Sequence, residues 1–423
     1  LSENYEKLGD SEIRGTLLAR AESISVASGN PEQLANIRCH IADNERSKGE
    51  YDAARKELRS ADSLLRVMPD VDAEATCLWA LAVLDNEVGD GTKGVPAMRR
   101  AIVIFDSLGN VRSLDYGAML TTFAGSLARQ QRHREADSVY LRAMFLMDSA
   151  GNGGTVDRAI VQHDYALSLG DIGETAEAER LLWDVLTRIA QSDPTAHLPS
   201  QPLIHYAQIA YDNGKSDSAV KYFAILAAQA VEEKNSYWHG RALFGLAQSQ
   251  LQSGDVAAAR QTAGRFRVLA GNVKLTNTDD HIVDPRILDA RFALRTGDSA
   301  AAYALTTSVL RERGYYGPKR RSTFWAAAIL ASTAALGSQR VDSALSFARE
   351  ARAIAMIDSL ADARSVYVGE ARLAEGRALL AGGDTVGARA SLERGLVALR
   401  RGGGSAHPFT RETEALLSAT PRR

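Results

Sequence analysis

Residues 236–270 read SYWHGRALFGLAQSQLQSGDVAAARQTAGRFRVLA, and this stretch decides the fold. Its first half carries apolar residues at helical spacing, among them Leu243, Leu246 and Leu251. Gly254-Asp255 then interrupts the pattern, because glycine tolerates the left-handed backbone that ends a helix and aspartate caps the next one. The helical pattern resumes over residues 256–270. The stretch therefore predicts two helices joined by a tight turn.

Small residues recur along the whole chain at the places they occupy in this hairpin. Nine alanines follow one another at intervals of 39 to 44 residues, and a second series of small residues precedes most of them by 12. This period indicates a repeat array in which each unit has two helices and two close-packing positions. The alanine series is Ala54, Ala97, Ala136, Ala178, Ala219, Ala259, Ala302, Ala344 and Ala388, and the upstream series is Ala42, Ala82, Ala124, Ala166, Ala207, Ala247, Ala290, Ser332 and Gly376.

The unit resembles the tetratricopeptide repeat (TPR). That family has a small residue in the middle of helix A, a Gly-Asp-like turn, and an alanine five residues after the turn glycine, as from Gly254 to Ala259. The period here is longer than the standard TPR, so HEAT-like hairpins are the structural alternative. The resemblance implies an all-α fold, a right-handed α–α superhelix (solenoid) of about nine to ten TPR-like helical hairpins. The other matching pairs are Gly49–Ala54, Gly173–Ala178, Gly214–Ala219, Gly297–Ala302 and Gly383–Ala388.

The punctuation of the array predicts its organisation. Residues 1–30 are expected to form a truncated first repeat, since Leu1–Leu8 resembles the end of a helix A. Residues 31–270 are predicted as N-terminal repeats, 271–406 as C-terminal repeats, and 407–423 as a capping helix and tail. Because the chain begins with Leu1 rather than methionine, we expect it to be a piece of a longer or processed protein.

Composition excludes several classes of protein. A net charge of −2 gives no long-range field toward nucleic acid or an anionic membrane. The longest apolar run, Phe324–Gly337, is shorter than the roughly 20 residues that span a bilayer, and no secretory signal is visible, so a cytoplasmic location is expected. The two cysteines, Cys39 and Cys77, are too few for a disulfide framework or a zinc site, and we expect each to be a small buried hydrophobe.

No catalytic motif emerges from the sequence. The glycine-rich stretches 151–154 and 402–405 lack the strand and the Lys-Ser/Thr of a P-loop, and they are interpreted as turns. None of the eight histidines pairs with a glutamate as in a zinc protease helix, and no Gly-x-Ser-x-Gly elbow occurs. His163 and His205 could line the inner face, although packing or solvation is the preferred interpretation. The chain is predicted to be no enzyme and to carry no cofactor.

Two loops contain residue types that can bind ions or nucleic acid. Asp279, Asp280, His281 and Asp284 could hold a hard cation, but they lack the spacing of an EF-hand, so a solvated loop is preferred and no metal is predicted. Tyr315, Tyr316, Lys319, Arg320 and Arg321 could stack on and neutralise single-stranded nucleic acid. One such loop on a nearly neutral chain favours solvation or contact with an acidic protein segment, and no nucleic-acid partner is predicted.

The inner surface is the best candidate for a binding site. The TPR resemblance implies that helix A lines a concave face that receives an extended peptide or a partner helix. In the TPR family, lysine and asparagine side chains at fixed positions bind a C-terminal carboxylate, and that pattern is absent here, so this mode of binding is not supported. The matching positions are occupied by Asn36, Cys39, Asp43, Arg46, Thr76, Trp79, Val83 and Asn86. A solvated helix face is the alternative. The predicted partner-binding residues are Gln201, Gln208, Arg241, Gln248, Arg291, Arg295 and Arg377.

The leading functional hypothesis is a non-enzymatic scaffold that binds a protein or an extended, acidic peptide. The alternative is the regulatory or sensory region of a larger bacterial signalling protein, such as a serine/threonine kinase or a transcriptional regulator. Long arrays with Asp-Ser-Leu phrases, such as residues 62–64 and 106–108, resemble those regions. No kinase motif lies in the chain itself. The sequence leaves the identity of the partner and the oligomeric state open.

Overall fold

The computed structural model describes residues 11–88, 92–109, 114–192, 197–270, 284–316, 320–357 and 361–421. In these ranges the secondary structure consists of helices, turns and bends, without a strand. The chain divides into two compact units, Leu1–Ser168 and Leu169–Arg423. The predicted all-α solenoid of helical hairpins is confirmed, whereas the grouping of repeats at residues 31–270 and 271–406 stays a prediction. The stretch Leu1–Leu8 and the residues Asp279, Asp280, His281 and Lys319 lie outside the described ranges.

The first unit contains one helix, three helical hairpins and most of a further helix. The two helices of each hairpin pack together, and the first helices of neighbouring hairpins also touch. The elements are α1 (Ser11–Ser28), α2 (Pro31–Ser47), α3 (Tyr51–Val67), α4 (Val71–Val88), α5 (Gly94–Leu108), α6 (Leu114–Arg129), α7 (His133–Ser149) and α8 (Val156–Ile172).

The second unit begins at the end of α8 and contains five helical hairpins between α9 and α22. Two four-residue helices, α16 and α19, lie in the connections between hairpins. The elements are α9 (Thr175–Ser192), α10 (Ser200–Asp212), α11 (Ser216–Glu232), α12 (Ser236–Ser253), α13 (Val256–Ala270), α14 (Pro285–Arg295), α15 (Ser299–Leu310), α16 (Arg313–Tyr316), α17 (Arg321–Gly337), α18 (Val341–Ala355), α19 (Ala361–Arg364), α20 (Val366–Ala381), α21 (Thr385–Gly402) and α22 (Pro408–Ala419).

In the described turns within hairpins, other than the partly described turn between α4 and α5, one residue adopts the left-handed backbone conformation. Gly254 has φ +94° and Asp255 accepts a hydrogen bond from the Ala258 amide, as the sequence pattern predicts. Gln131 and Gln339 take the same place, five residues before Ala136 and Ala344, with φ of 59° and 57°. Because neither residue is glycine, the Gly-Asp pattern does not predict these two turns. A non-glycine residue in this conformation costs roughly 1–2 kcal/mol.

Both series of small residues are buried where helices cross. Every alanine of the alanine series is buried, and so is every member of the upstream series. In the hairpin of α17 and α18 the Ser332 hydroxyl donates to the Ala344 carbonyl oxygen at 2.8 Å, so the two series meet directly. A Cβ at Gly376 would lie 2.6 Å from the Leu392 side chain. The contact therefore admits only small side chains, which is why the period is visible in the sequence.

The two cysteines correct one expectation. Cys39 and Cys77 form a disulfide between α2 and α4, with their Cα atoms 5.1 Å apart. Cys39 is buried as expected, but neither residue is a free thiol acting only as a small hydrophobe. The reason is their separation of 38 residues, close to one repeat, which brings them onto neighbouring first helices.

The second unit closes on itself. Its last hairpin and the start of α22 meet the turns at the beginning of the unit: the Val366 amide donates to the Gly173 carbonyl oxygen at 2.9 Å, and the His407 Nε2–H donates to the Asp212 carbonyl oxygen at 3.0 Å. Tyr367 donates its hydroxyl to the Asp212 carboxylate at 3.3 Å. We call these the closure contacts. They join residues that are 155 to 195 positions apart in the sequence.

Burial at the closure contacts fixes the charge state of the histidine. Burial lowers the pKa of His407, so its imidazole is neutral at pH 7. Its Nδ1 accepts from the Phe409 amide at 3.3 Å, which leaves the proton on Nε2 for the Asp212 carbonyl. Close packing accompanies these bonds, since a Cβ at Gly214 would lie 2.3 Å from Pro408.

The apolar run Phe324–Gly337 lies in α17, most of whose side chains are buried against neighbouring helices. It is a repeat helix, as predicted. Among the described residues no helix is both long and apolar enough to cross a lipid bilayer.

Candidate functional site

The first helices of the second unit form one continuous surface. Helices α10, α12, α14, α17 and α20 each contact the next in this series, and we call their shared surface the first-helix wall. The residue directly after each upstream-series position recurs along it, once per repeat. Four of the predicted binding residues hold that position: Gln208, Gln248, Arg291 and Arg377.

A cavity of about 290 Å³ opens where α10, α12, α14 and α17 meet. One part of its lining is polar and contains Gln248, Gln252, Arg291 and Arg295. The other part is largely apolar and contains Tyr211, Leu251, Leu294 and Leu330. We call this cavity the Gln248 pocket.

Two polar atoms of the Gln248 pocket have no hydrogen-bond partner. Gln248 is only 2% exposed, and its Oε1 accepts no hydrogen bond; the buried Nε of Arg291 donates none. Leaving a buried polar atom unsatisfied costs about 1–3 kcal/mol. Neither Arg291 nor Arg295 forms a salt bridge with any residue that the structure describes. The guanidinium of Arg291 instead stacks over the Tyr211 ring at 5.6 Å from its centroid.

Two carboxyl groups lie within electrostatic reach of Arg291, but burial weakens their acidity. Desolvation raises the pKa of Asp212 to about 6, although hydrogen bonds from Gln208 and Tyr367 and the charge of Arg291 oppose the shift. Desolvation likewise raises the pKa of Glu370 to about 7, against the charges of Arg291 and Arg377. At neutral pH Glu370 is therefore about half protonated. Asp212 is mostly ionised at pH 7, so the pair carries more than one negative charge, but neither carboxyl group forms an ion pair with Arg291.

The structure brings three of the seven predicted residues together and assigns the other four elsewhere. Gln248, Arg291 and Arg295 line the pocket. Gln208 donates to the Asp212 carboxylate at 3.0 Å, and Arg377 forms an ion pair with Glu412. Gln201 is an exposed residue in the first turn of α10.

Arg241 is the predicted residue whose environment differs most from a groove-facing charge. It is only 6% exposed, and its guanidinium stacks on Tyr237 and Trp238, 5.5 Å and 5.2 Å from their ring centroids. It also donates to the Tyr237 hydroxyl at 3.0 Å. An arginine held between two aromatic rings stabilises α12 and is poorly placed to grip a carboxylate.

Three of the remaining sequence candidates, Arg320, His163 and His205, are paired or buried. Arg320 pairs with Asp284 at 2.8 Å, so the basic loop and the acidic loop of the sequence partly neutralise each other. His163 and His205 are buried. No group of three or more potential metal ligands occurs among the described residues.

A larger cavity, of about 720 Å³, lies between α21 and α22, but its arginines are engaged. Arg400 pairs with Glu414 at 2.6 Å, and Arg389 donates to the carbonyl oxygens of Leu417 and Thr420. This cavity lacks the unsatisfied polar atoms of the Gln248 pocket, and we therefore take the smaller cavity as the candidate site.

Sequence reasoning missed the apolar half of the pocket. Tyr211, Leu251 and Leu294 each stand four residues after a member of the upstream series, one helical turn along the same face. The same register that produced the polar track therefore contained the signal. Asp212 and Glu370 gave no comparable signal, because their convergence depends on contacts between distant repeats.

Comparison with known proteins agrees with the helical-repeat fold. No protein-family model matches the sequence, and no curated protein is significantly similar to it. The apo form of RapI superposes with a TM-score of 0.63 at 11% identity, covering 83% of this chain and 95% of RapI. The apo form of the quorum sensor NprR from B. thuringiensis gives a TM-score of 0.54 at 12% identity, covering 76% and 88%. The chain is thus similar to these proteins in fold, and that fold is a TPR-type array of helical hairpins.

Proposed function

We propose that this protein is a non-enzymatic scaffold that binds a protein or an extended peptide along the first-helix wall of its second unit. The observation that carries the proposal is the pair of unsatisfied buried atoms, Gln248 Oε1 and Arg291 Nε, at one cavity in that wall. Native proteins satisfy nearly all buried polar groups, so such a pair points to a ligand that supplies the missing partners.

The chemistry of the wall suits an acidic, extended chain. Arginine offers a planar fork for carboxylates, and a glutamine side chain can pair with a peptide backbone. Binding should weaken with salt because Arg295 is exposed. It should also be modest, because ordering a flexible ligand consumes part of the interaction free energy. Of the predicted track, we propose that Gln248, Arg291 and Arg295 make the main contacts and that Gln201, Gln208, Arg241 and Arg377 contribute less.

A peptide-array screen tests this proposal. The wild type and the Arg291→Ala/Arg295→Ala variant are compared on acidic peptides, at low and high salt. The matched control is Arg260→Ala/Arg265→Ala, which removes two exposed arginines from the second helix of a hairpin, α13. We expect the control to retain peptides that the pocket variant loses. Equal binding by all three proteins would place the site elsewhere, with the half of the chain that contains Trp79 as the next candidate.

A regulatory or sensory role in a larger bacterial signalling protein is the second candidate. It is favoured by the resemblance in fold to RapI and to a protein described as a quorum sensor. A kinase or transcriptional-regulator context is tested by the gene sequence upstream of the codon for Leu1. A glycine-rich loop with a catalytic lysine and His-Arg-Asp would support a kinase, and a helix-turn-helix would support a regulator. A short upstream sequence without either would contradict both.

The compartment of the protein can be tested through the disulfide. We propose a cytoplasmic location, although disulfides persist mainly in oxidising compartments. Differential alkylation of Cys39 and Cys77 in intact cells measures their state directly. Reduced thiols would agree with the cytoplasm, and fully oxidised cysteines would contradict it.

A further inference from the structure

Two Asn-Gly sequences occur in the chain, Asn152-Gly153 and Asn213-Gly214. In such a sequence the peptide nitrogen of the glycine can attack the Cγ atom of the asparagine side chain, because no Cβ of the second residue obstructs the approach. Asparagine is accordingly one of the thermolabile residues of proteins. The attack requires the side-chain amide to turn toward the following peptide nitrogen, so its rate depends on what holds that amide in the folded protein.

Hydrogen bonds hold both reacting groups of Asn213-Gly214 in the second unit. Asn213 is only 6% exposed, and its Oδ1 accepts a hydrogen bond from the Thr175 hydroxyl at 2.6 Å. Its Nδ2 donates to the Glu179 carboxylate at 2.7 Å and to the Thr175 carbonyl oxygen at 3.2 Å. The Gly214 N–H donates to the Tyr211 carbonyl oxygen at 2.9 Å. Attack on the Asn213 Cγ atom therefore requires several hydrogen bonds to break first.

The side chain of Asn152 lacks such bonds. Asn152 lies in the connection between α7 and α8 and is partly exposed. Its backbone is fixed, since its N–H donates to the Met147 carbonyl oxygen at 2.9 Å and its carbonyl oxygen accepts from the Thr155 N–H at 3.0 Å and hydroxyl at 2.8 Å. Its side-chain amide makes no hydrogen bond with any residue that the structure describes. The amide is thus able to turn toward the Gly153 nitrogen without breaking a hydrogen bond to the protein.

Packing favours glycine at position 153. A Cβ there would lie 2.9 Å from the Asp148 carboxylate, whose Oδ1 also accepts a hydrogen bond from Arg158 Nε at 2.9 Å. A larger residue would have to displace this carboxylate from its arginine. The reactive Asn-Gly pair therefore follows from the way this connection is packed.

We propose that Asn152-Gly153 is a site of spontaneous deamidation in the folded protein and that the fold protects Asn213-Gly214. The Gly153 nitrogen forms a bond to the Asn152 Cγ atom, and the Cγ–Nδ2 bond breaks. The proton lost by the Gly153 nitrogen passes through water to the departing nitrogen, which leaves as ammonia. The resulting succinimide ring takes up one water molecule at either of its carbonyl carbons, which gives aspartate or isoaspartate. Neither product requires an oxidant or an enzyme, and each has one more negative charge than asparagine.

The isoaspartate product changes the start of α8. In isoaspartate the main chain runs through the former side chain, so the backbone gains one carbon and the original carbonyl carbon becomes a free carboxylate. The two hydrogen bonds from Thr155 to the Asn152 carbonyl oxygen then lose their geometry. Thr155 in turn accepts a hydrogen bond from the Arg158 N–H at 3.2 Å, in the first turn of α8. We expect hydrogen exchange to become faster in this turn after deamidation.

Peptide mapping by mass spectrometry after prolonged incubation at mildly alkaline pH measures both sites in one sample. In the folded protein Asn152 should deamidate roughly ten-fold to a hundred-fold faster than Asn213, because the hydrogen bonds of Asn213 must break first. In guanidinium chloride, where neither side chain is held, the two rates should be similar. Equal rates in the folded protein, or faster reaction at Asn213, would overturn the proposal. So would an unreacted Asn152 in the folded protein after both sites have reacted in the unfolded chain.

Variants in the connection assign the reaction to this pair. Gly153→Ala places a Cβ in the path of the attack and should slow deamidation of Asn152 by roughly ten-fold. The matched control is Gly154→Ala, which adds the same methyl group where no atom beyond the neighbouring residues lies within 4 Å, and it should deamidate as fast as the wild type. Asn152→Gln keeps an amide but requires a larger ring, so after incubation it should keep the hydrogen exchange of fresh protein in the first turn of α8. Equal rates in the two glycine variants, or an incubated Asn152→Gln protein that exchanges as fast as the incubated wild type, would overturn the assignment.

Discussion

The first helices of the two units follow the same repeat but differ in how their polar side chains are paired. In the first unit Arg46 on α2 donates to Asp43 at 2.8 Å and also pairs with Glu87 on α4, although the buried Asn36 Oδ1 on α2 accepts no hydrogen bond. In the second unit the equivalent surface leaves Gln248 Oε1 and Arg291 Nε without partners. The repeat period is common to both, and the difference is that two unsatisfied atoms of the second unit lie at one cavity in the first-helix wall.

The two units also differ in the bonds that join their helices. The first unit joins α2 to α4 through a disulfide, and the Trp79 indole on α4 donates to the Thr122 hydroxyl on α6 at 2.9 Å. Its inner face is thus tied together by bonds within the chain. The second unit is instead joined by the closure contacts and keeps a cavity between its first helices. A disulfide and ion pairs thus join the first helices of the first unit, whereas the second unit has a cavity with two unsatisfied polar atoms.

The largest expected effect comes from removing the disulfide, which should destabilise the first unit and leave the second unit unchanged. Cys39→Ala/Cys77→Ala opens a loop of 38 residues, and the chain-entropy estimate for such a crosslink is about 4 kcal/mol of unfolding free energy. Hydrogen exchange with mass spectrometry should show lost protection in α2 to α5 and unchanged protection in the second unit. Reduction of the wild type serves as the control. A uniform loss over both units would mean that they are not independent.

Overpacking tests the second unit in turn. Ala219→Leu or Ala259→Leu forces a large side chain into a helix contact with no free space and should lower stability by about 1–3 kcal/mol. The damage should be concentrated in adjoining repeats, because solenoids are stabilised by nearest-neighbour interfaces. The matched control is Ala257→Leu, at an exposed position on α13, the helix that contains Ala259. Unchanged local protection in the buried variants would refute the assigned register.

Acid should act on the two units in opposite directions. Burial raises the pKa of Glu370 from 4.5 to about 7 and of Asp212 from 3.8 to about 6, so their contribution to stability is full below about pH 4 and is lost as the pH rises to 7. Burial alone would raise the pKa of Asp43, but Arg46 and Arg14 outweigh it and lower that pKa below 3.8, so the first unit is destabilised only at lower pH.

Denaturation followed by exchange at pH 4.5 and pH 7 measures this contrast. The second unit should be more stable at pH 4.5 than at pH 7, and Glu370→Gln should flatten that difference. Asp43→Asn should change the first unit only, and by nearly the same amount at both pH values, because the lowered pKa of Asp43 keeps its carboxyl ionised at pH 4.5 as well as at pH 7. A second unit that becomes more stable as the pH rises from 4.5 to 7 would contradict the raised pKa values of Glu370 and Asp212.

The smallest effect compares one turn in each unit. Gln131→Gly and Gln339→Gly relieve a left-handed backbone, and after the entropic cost of glycine each should stabilise its unit by up to about 1 kcal/mol. Thermal denaturation of each variant should show a small rise in Tm. Gly383→Ala, at a turn with φ +81°, should do the reverse. A loss of stability in both glutamine variants would indicate that these side chains make contacts that outweigh the strain.

The local parts of this structure were predictable because they depend on short spacings. Gly254, Asp255 and Ala259 define a turn and a close contact within six residues, and each behaves as its residue type requires. The turns at Gln131 and Gln339 could not be predicted in this way, because a strained residue occupies the position at which glycine is ideal. In the site, register alone placed Gln248 and Arg291 at equivalent positions but could not show that Arg241 stacks on aromatic rings.

The long-range parts could not be predicted for a different reason. The disulfide joins neighbouring repeats, but the repeat period alone does not show that the two cysteines face each other. The raised pKa of Glu370 depends on side chains from several repeats. Each repeat adds a small rotation, and only the accumulated rotation decides which distant residues meet. The sequence of one chain therefore predicts the structure of each repeat well, but it does not predict the accumulated rotation of many repeats.

The closure contacts change how the second unit should come apart. An open array of repeats frays from its ends, since a terminal repeat has one neighbour instead of two. Here the terminal elements, near Gly173 and His407, are each other's neighbours across roughly 200 residues of chain. Contacts of such separation slow folding because a long loop must close first. The second unit should therefore form late and, once formed, resist stepwise unzipping, losing its ends and its middle in one cooperative event.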